Sequence, residues 1–267
     1  MNEKKNTTQT KREYHEILYV MPYNAQSIGA REEQQDYFAF SNLLDPAEVA
    51  RSGNAAVLAD GMGGMENGQL AAVSGVTAFL SEYLAHDTET DGALEAAMYD
   101  ALLAANAEVC RLDGAGATLV AAVMKQNRLH WISVGDSHLY LVRKGVLRRL
   151  NDVHIFAEKL DAMYREGDIT YEQALAHPER KALTSYLGLA DLEHISRNSG
   201  EFPLFIGDVI LLCTDGLYRG LCDREIAELT SEAAEANSDI AQSLVDCVIE
   251  KQIENQDNVT VLALKVI

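Results

Sequence analysis

Five aspartates stand where the chain changes between extended structure and turn. One apolar run ends in Asp60-Gly61, another in Asp215-Gly216 and a third in Gly135-Asp136-Ser137, while Asp257-Asn258 precedes a fourth and Asp36 opens the one beginning at Tyr37. A single Asp-Gly pair is ordinary turn chemistry, because glycine tolerates positive φ and aspartate bonds its own backbone. Five at strand ends are a different matter. Sheets bring strand ends together, and the carboxylates then repel unless a cation holds them. Oxygen donors without His or Cys suit hard ions, Mg²⁺ or Mn²⁺, rather than zinc. The glycines after Asp60 let the backbone approach a ligand, and Gly61 can offer its carbonyl to a metal. The Gly-Lys-Ser/Thr of a nucleotide-binding loop is absent. Arg31, five residues before Asp36, carries a planar fork whose geometry matches a phosphate.

Positioning these groups requires a sheet-rich scaffold. Short runs rich in Val, Ile and Leu predict strands over Asp36–Ser41, Ala55–Ala59, Thr118–Lys125, Leu129–Val134, Leu139–Arg143, Val146–Leu150, Val209–Cys213 and Val259–Val266. Lys144-Gly145 marks a hairpin. Helical spacing predicts helices over Gly68–Leu84, Gly92–Leu112, Phe156–Arg165, Tyr171–Ala176, Asp223–Thr230 and Asp239–Glu254. Consecutive strands between Thr118 and Leu150 favour antiparallel pairing, and paired helices favour two helical layers outside packed sheets. The class is α+β. Residues 1–13 are expected to be a flexible arm and 14–267 a single domain, since no linker or repeat interrupts them.

The chain has 267 residues, 48% of them hydrophobic, enough for a core without disulfide staples. Its 41 acidic and 22 basic residues give a net charge of −19, a field that repels nucleic acids and anionic membranes. Cys110, Cys213, Cys222 and Cys247 form no CxxC pair, so they are expected to be core thiols in a reducing cytoplasm. Neither a signal-peptide core nor a bilayer-length apolar run is present.

Taken together, the blocks resemble the type 2C, metal-dependent protein phosphatases, especially the compact bacterial type. Arg31-Glu-Glu-Gln-Gln-Asp36 is similar to that family's opening element, and Asp60-Gly-Met-Gly-Gly to its glycine loop. Gly116-Ala-Thr-Leu119, Val134-Gly-Asp-Ser137, Thr214-Asp-Gly-Leu217 and Asp257-Asn-Val-Thr260 follow in the family's order, and the stretch from Gly167 to Gly188 resembles its flap and the block after it. The resemblance implies a four-layer αββα fold, a central β-sandwich of two mainly antiparallel sheets flanked by pairs of helices. It implies two Mn²⁺ or Mg²⁺ ions and hydrolysis of phosphoserine and phosphothreonine in proteins by a hydroxide bridging them. Asp60 would bridge both metals, Gly61 would give its carbonyl, Asp215 and Asp257 would hold one metal, and Asp36 would act through bound water. Asp136 would belong to a third, weaker site, and Arg31 would bind the substrate phosphate. Phosphoprotein substrates and an opposing serine/threonine kinase are the implied partners.

Three positions depart from the pattern. Gln34 stands where Asn is usual, and Met65 replaces a His. Arg219 stands where an Asp usually serves the third metal, so it is expected to compete there by pairing with Asp136 and to leave that site empty or weak. His154 is expected to be structural, and no cysteine nucleophile is expected. Met65 and Arg219 support the alternative of a catalytically weak binding module, whereas the intact aspartate set supports an enzyme. Substrate choice is expected to reside in a flap over about residues 156–185.

Overall fold

A computed structural model describes residues 18–62, 67–198 and 200–267. The expected arm at 1–13 and the Met65 departure fall outside these residues.

Side-chain alternation sets the layering. In the strand β3 (Asn54–Asp60), Ala55, Val57 and Ala59 face one core while Ala56 and Leu58 face another. The same period of two runs through β4 (Leu119–Lys125), β9 (Val209–Cys213) and β10 (Val259–Val266), whose residues divide between an inter-sheet layer and a helix-facing layer. Both faces of these strands are therefore buried, which explains why they read as continuous apolar runs.

One sheet has the order β1 (Val20–Ser27), β10, β9, β6 (His138–Arg143), β7 (Val146–Arg149). The other has the order β2 (Asp36–Phe40), β3, β4, β5 (Arg128–Val134), β8 (Ser196–Arg197). Every pairing is antiparallel. The helices α2 (Gly68–Ala85) and α3 (Asp91–Val109) cover the second sheet, burying Phe79, Tyr83, Leu94 and Leu102 against it. The first sheet is covered by α7 (Asp223–Ala236) and α8 (Ile240–Glu250) through Ile226, Ile240, Leu244 and Val248. Each fully buried Leu or Ile contributes about 1.5–3 kcal/mol relative to exposure, so these three apolar layers dominate the stability. The expected αββα sandwich is the observed one.

Lys144 and Gly145 close the β6–β7 hairpin with φ of 53° and 77°, the left-handed pair that a tight two-residue turn needs. Between β5 and β6 the chain passes from one sheet to the other, so the predicted run of antiparallel neighbours splits there.

Two strands and two helices were not expected from the sequence. β1 contains Pro22 among polar residues, which a central strand would not tolerate; among the described residues it lies at a sheet edge and pairs with β10 alone. β8 is two residues long, too short for periodicity. α1 (Pro46–Ser52) carries local signals, an Asp45 cap bonding the Ala47 N–H at 2.9 Å and proline at its start. α6 (Asp215–Tyr218) is a single turn hidden under an Asp-Gly turn signal. The predicted helices at 92–112 and 239–254 end earlier, at Val109 and Glu250, while the one from Asp223 continues to Ala236. α4 (Phe156–Glu166) and α5 (Tyr171–Ala176) match their predicted positions. The expectation of four core thiols needs correction: Cys213 is buried, Cys247 is partly buried, and Cys110 and Cys222 are exposed because they fall beyond their helices' apolar faces. Among the described residues no helix is long and apolar enough to cross a membrane.

Candidate active site

The carboxylates meet because of strand register and two short connections. In the β2–β3 pair, Asp36 sits opposite Asp60, placing two like charges at one end of the second sheet. β9 ends at Cys213, and Thr214 then leads into α6, which begins with Asp215. Asp257 lies two residues before β10, the partner of β9. Asp136 comes from the turn between β5 and β6. Gly135 in that turn has φ +95°, and a Cβ there would come within 2.6 Å of the Thr118 side chain. Gly61 is under a comparable constraint, since its Cβ would meet the Gly68 carbonyl at 2.3 Å where α2 begins.

A cleft of about 310 Å³ opens at this end of the sandwich, and Asp60, Gly61, Asp136, Asp215 and Asp257 line it together with Arg31. Asp36 lies behind this wall, 4% exposed. One of its oxygens, Oδ2, accepts hydrogen bonds from the hydroxyls of Thr260 at 2.6 Å and Thr214 at 3.0 Å. Among the described residues, its buried Oδ1 has no hydrogen-bond partner, nor does Oδ1 of Asp215. Burial pushes the Asp36 carboxyl up to about 6 in spite of the two threonines, with the charge of Asp257 adding to the rise. Burial likewise raises Asp215 to about 7, against the opposing charge of Arg219 and with repulsion from Asp136, Asp257 and Asp36. Asp60 rises well above the ordinary carboxylate range, first by burial and then by its four acidic neighbours. Asp136 is raised by burial, although Arg219 and the Tyr218 hydroxyl act the other way.

Such a cluster is costly unless a cation neutralises it. Orphaned carboxylate oxygens inside an all-oxygen site are the donors a hard divalent ion takes, so the residues fit Mn²⁺ or Mg²⁺. Among the described residues, no three His, Cys, Asp or Glu side chains are drawn into a closed ligand set. Arginines hold two of the carboxylates instead. Arg31 bonds Asp257 at 2.7 Å and Arg219 bonds Asp215 at 2.5 Å. The pairing expected between Arg219 and Asp136 is the longer contact, 4.0 Å, because Arg219 lies one helical turn after Asp215 and on its face.

Several supporting groups escaped the sequence reading. Thr214 and Thr260 clamp Asp36, and Thr118 bonds both the Asp60 N–H at 2.9 Å and the Ser137 hydroxyl at 2.7 Å. The Asn258 amide ties the carbonyls of Ile28 and Glu33 and accepts from the Gln35 N–H, fixing the segment that carries Arg31. Thr214, Thr260 and Asn258 lie inside blocks that stand out for their aspartates, and Thr118 lies inside the Gly116–Leu119 block; that position is the available signal. Tyr218, whose hydroxyl donates to the Asp136 carbonyl at 3.1 Å and lies 3.2 Å from its Oδ2, had none. Lys181 and Leu183, from the segment expected to form a flap, also line the cleft. Gln34 lies outside the cleft lining, and among the described residues its buried Nε2 has no hydrogen-bond partner.

His154 accepts a hydrogen bond from the Gly135 N–H at 3.1 Å, and burial lowers its imidazole to about 4. It holds the Asp136 turn and lies outside the cleft lining. The expected lack of a cysteine-phosphatase CxxxxxR signature needs correction, since Cys213 and Arg219 stand at that spacing. The Cys213 thiol is fully buried in β9 and burial raises its pKa far above the usual thiol range, so it is no nucleophile.

A family model described as Protein phosphatase 2C matches residues 26–256. The serine/threonine phosphatase stp of Listeria monocytogenes is 30% identical over 220 residues, covering 78% of this chain and 83% of that protein. The crystal structure of the Mycobacterium tuberculosis serine/threonine phosphatase PstP superposes with a TM-score of 0.70 at 28% identity, over 92% of this chain and 98% of that one. The catalytic domain of PstP in complex with two manganese ions gives a TM-score of 0.68 at 28% identity, over 94% and 100%.

Proposed function

The chain belongs to the protein phosphatase 2C family, and on that premise we propose that it hydrolyses phosphoserine and phosphothreonine in proteins with two divalent cations. One observation supports this reading above the others: carboxylates from four separate segments line a cleft that also presents two arginines, a fifth, Asp36, is buried behind it, and among the described residues Asp36 and Asp215 each keep an oxygen without a hydrogen-bond partner. Bound there, Mn²⁺ or Mg²⁺ would supply Lewis acidity to the phosphoryl oxygens and lower the pKa of a coordinated water.

The chain's own residues are assigned as follows. Asp60, Asp215, Asp257 and the Gly61 carbonyl would hold the cations, and Asp36, steadied by Thr214 and Thr260, would support them from behind. Arg31, half exposed and fixed to Asp257, receives the phosphate and orients its phosphorus toward the cleft. With a cation on Asp257, the Arg31 fork would be free for the substrate phosphate. The flap near residues 156–185 selects the phosphoprotein, since Lys181 and Leu183 reach the cleft and Arg180 ties this stretch to α4 through Asp161 at 2.8 Å. Residues 14–267 act as one catalytic domain. An opposing serine/threonine kinase and a reducing cytoplasm, in keeping with four free thiols, complete the proposal.

The test is hydrolysis of a phosphothreonine peptide with Mn²⁺, with Mg²⁺ and with EDTA. Turnover that needs the metal and disappears in Asp215→Asn supports the assignment; no turnover alongside calorimetric metal binding would make the chain a binding module. Arg31→Ala is expected to raise KM about 10- to 100-fold, the worth of a charged bidentate contact. Its Mn²⁺ affinity should not fall. Equal losses in KM and metal binding would remove Arg31 from its phosphate role.

A further inference from the structure

The cleft contains a second arginine for which the chemistry above has no task. Arg219 follows the single turn of α6, its backbone N–H bonded to the Asp215 carbonyl at 3.0 Å. Its guanidinium pairs with the Asp215 carboxylate at 2.5 Å and reaches Asp136 at 4.0 Å. Arg31 repeats the arrangement from a distant part of the chain, pairing with Asp257 at 2.7 Å. The two side chains are 49% and 50% exposed, line the same cleft, and each rests on a carboxylate that a cation is expected to take.

Guanidinium stays protonated at any working pH, so it neutralises part of a carboxylate cluster that is otherwise poorly solvated. A divalent cation carries twice the charge on a compact ion and prefers hard oxygens, so it outcompetes the guanidinium for Asp215. A phosphomonoester in turn brings nearly two negative charges and three acceptor oxygens, more than one arginine fork satisfies. Asp136 does not depend on Arg219 either, because the Tyr218 hydroxyl already contacts it.

From this repeated geometry we propose that Arg219 is a second phosphoryl-binding arginine, held by Asp215 until a divalent cation claims that carboxylate. The proposal rests on the phosphatase reading and deepens it. It requires opposite effects on two ligands: loss of the side chain removes a competitor of the metal and a ligand of the phosphate. A merely structural arginine produces no such pair of effects.

Calorimetry of Mn²⁺ on EDTA-stripped protein, followed by inorganic phosphate on the Mn²⁺-loaded form, reads both ligands. Arg219→Ala should bind Mn²⁺ about tenfold more tightly and phosphate about tenfold more weakly, with KM for a phosphothreonine peptide rising more than kcat falls. Arg219→Lys keeps the charge and loses the fork, so its Mn²⁺ affinity should stay near that of the original chain while phosphate binding remains weak. Unchanged or weaker Mn²⁺ binding in Arg219→Ala, or unchanged phosphate affinity, overturns the proposal. Absence of turnover in every form would instead strike at the phosphatase reading, since the two titrations need no catalysis.

Discussion

Asp60→Asn is expected to lower kcat on a phosphothreonine peptide by at least about 10³-fold, because a central metal carboxylate underlies several kcal/mol of transition-state stabilisation. The metal-free variant should nevertheless fold at least as stably as the metal-free original. Asp60 is held opposite Asp36 by strand register and repelled by Asp215, Asp136 and Asp257, so its charge is a burden to the empty fold. Asparagine keeps the shape and removes that burden. The checks are steady-state kinetics, Mn²⁺ calorimetry, and urea unfolding in EDTA at pH 8. A variant that loses activity and also unfolds much more readily would show that Asp60 serves the scaffold rather than the chemistry.

The second large effect concerns pH. Burial pushes Asp36 up to about 6 and Asp215 up to about 7 in the folded protein, against an ordinary aspartate value of 3.8. Between about pH 4 and pH 7 the folded state therefore binds more protons than the unfolded one, and the stability of the metal-free protein falls as pH rises through that window. The loss should amount to several kcal/mol by pH 8, up to roughly 7, at about 1.4 kcal/mol per pH unit for each excess proton. Mn²⁺ reverses the trend, because it binds the deprotonated carboxylates and competes with those protons. Thermal or urea unfolding across pH 5–8, with EDTA and with Mn²⁺, should give curves that diverge as pH rises. Parallel curves would mean that the cation does not bind at these carboxylates. Asp215→Asn in EDTA should flatten the slope, since one of the titrating groups is gone.

How much of this could be read beforehand depended on the range of the signal. Period-two alternation and apolar runs are local, so the central strands at Ala55–Ala59, Val209–Cys213 and Val259–Val266 were located to within a residue. β1 was missed because edge position, which makes Pro22 tolerable, is a property of the sheet and not of the segment. The same limit applied to Arg219. Its position relative to Asp215 suggested a competing charge, but a one-turn helix turned it onto Asp215 and left Asp136 at 4.0 Å. The Cys213–Arg219 spacing illustrates the converse, a motif in sequence that burial deprives of its chemistry.

The sequence by itself determined the inventory: which carboxylates, glycines and arginines are present, their order, and the alternation that builds an αββα sandwich. These are legible because hydrophobic period and turn chemistry act over a few residues. Only the tertiary structure decided which oxygens are satisfied, with Thr214 and Thr260 closing on one side of Asp36 and no hydrogen-bond partner among the described residues on the other. It also decided which carboxylate each arginine holds. Those outcomes depend on register between strands and on desolvation, which arise only when segments more than 200 residues apart, such as Arg31 and Asp257, come to lie within 2.7 Å.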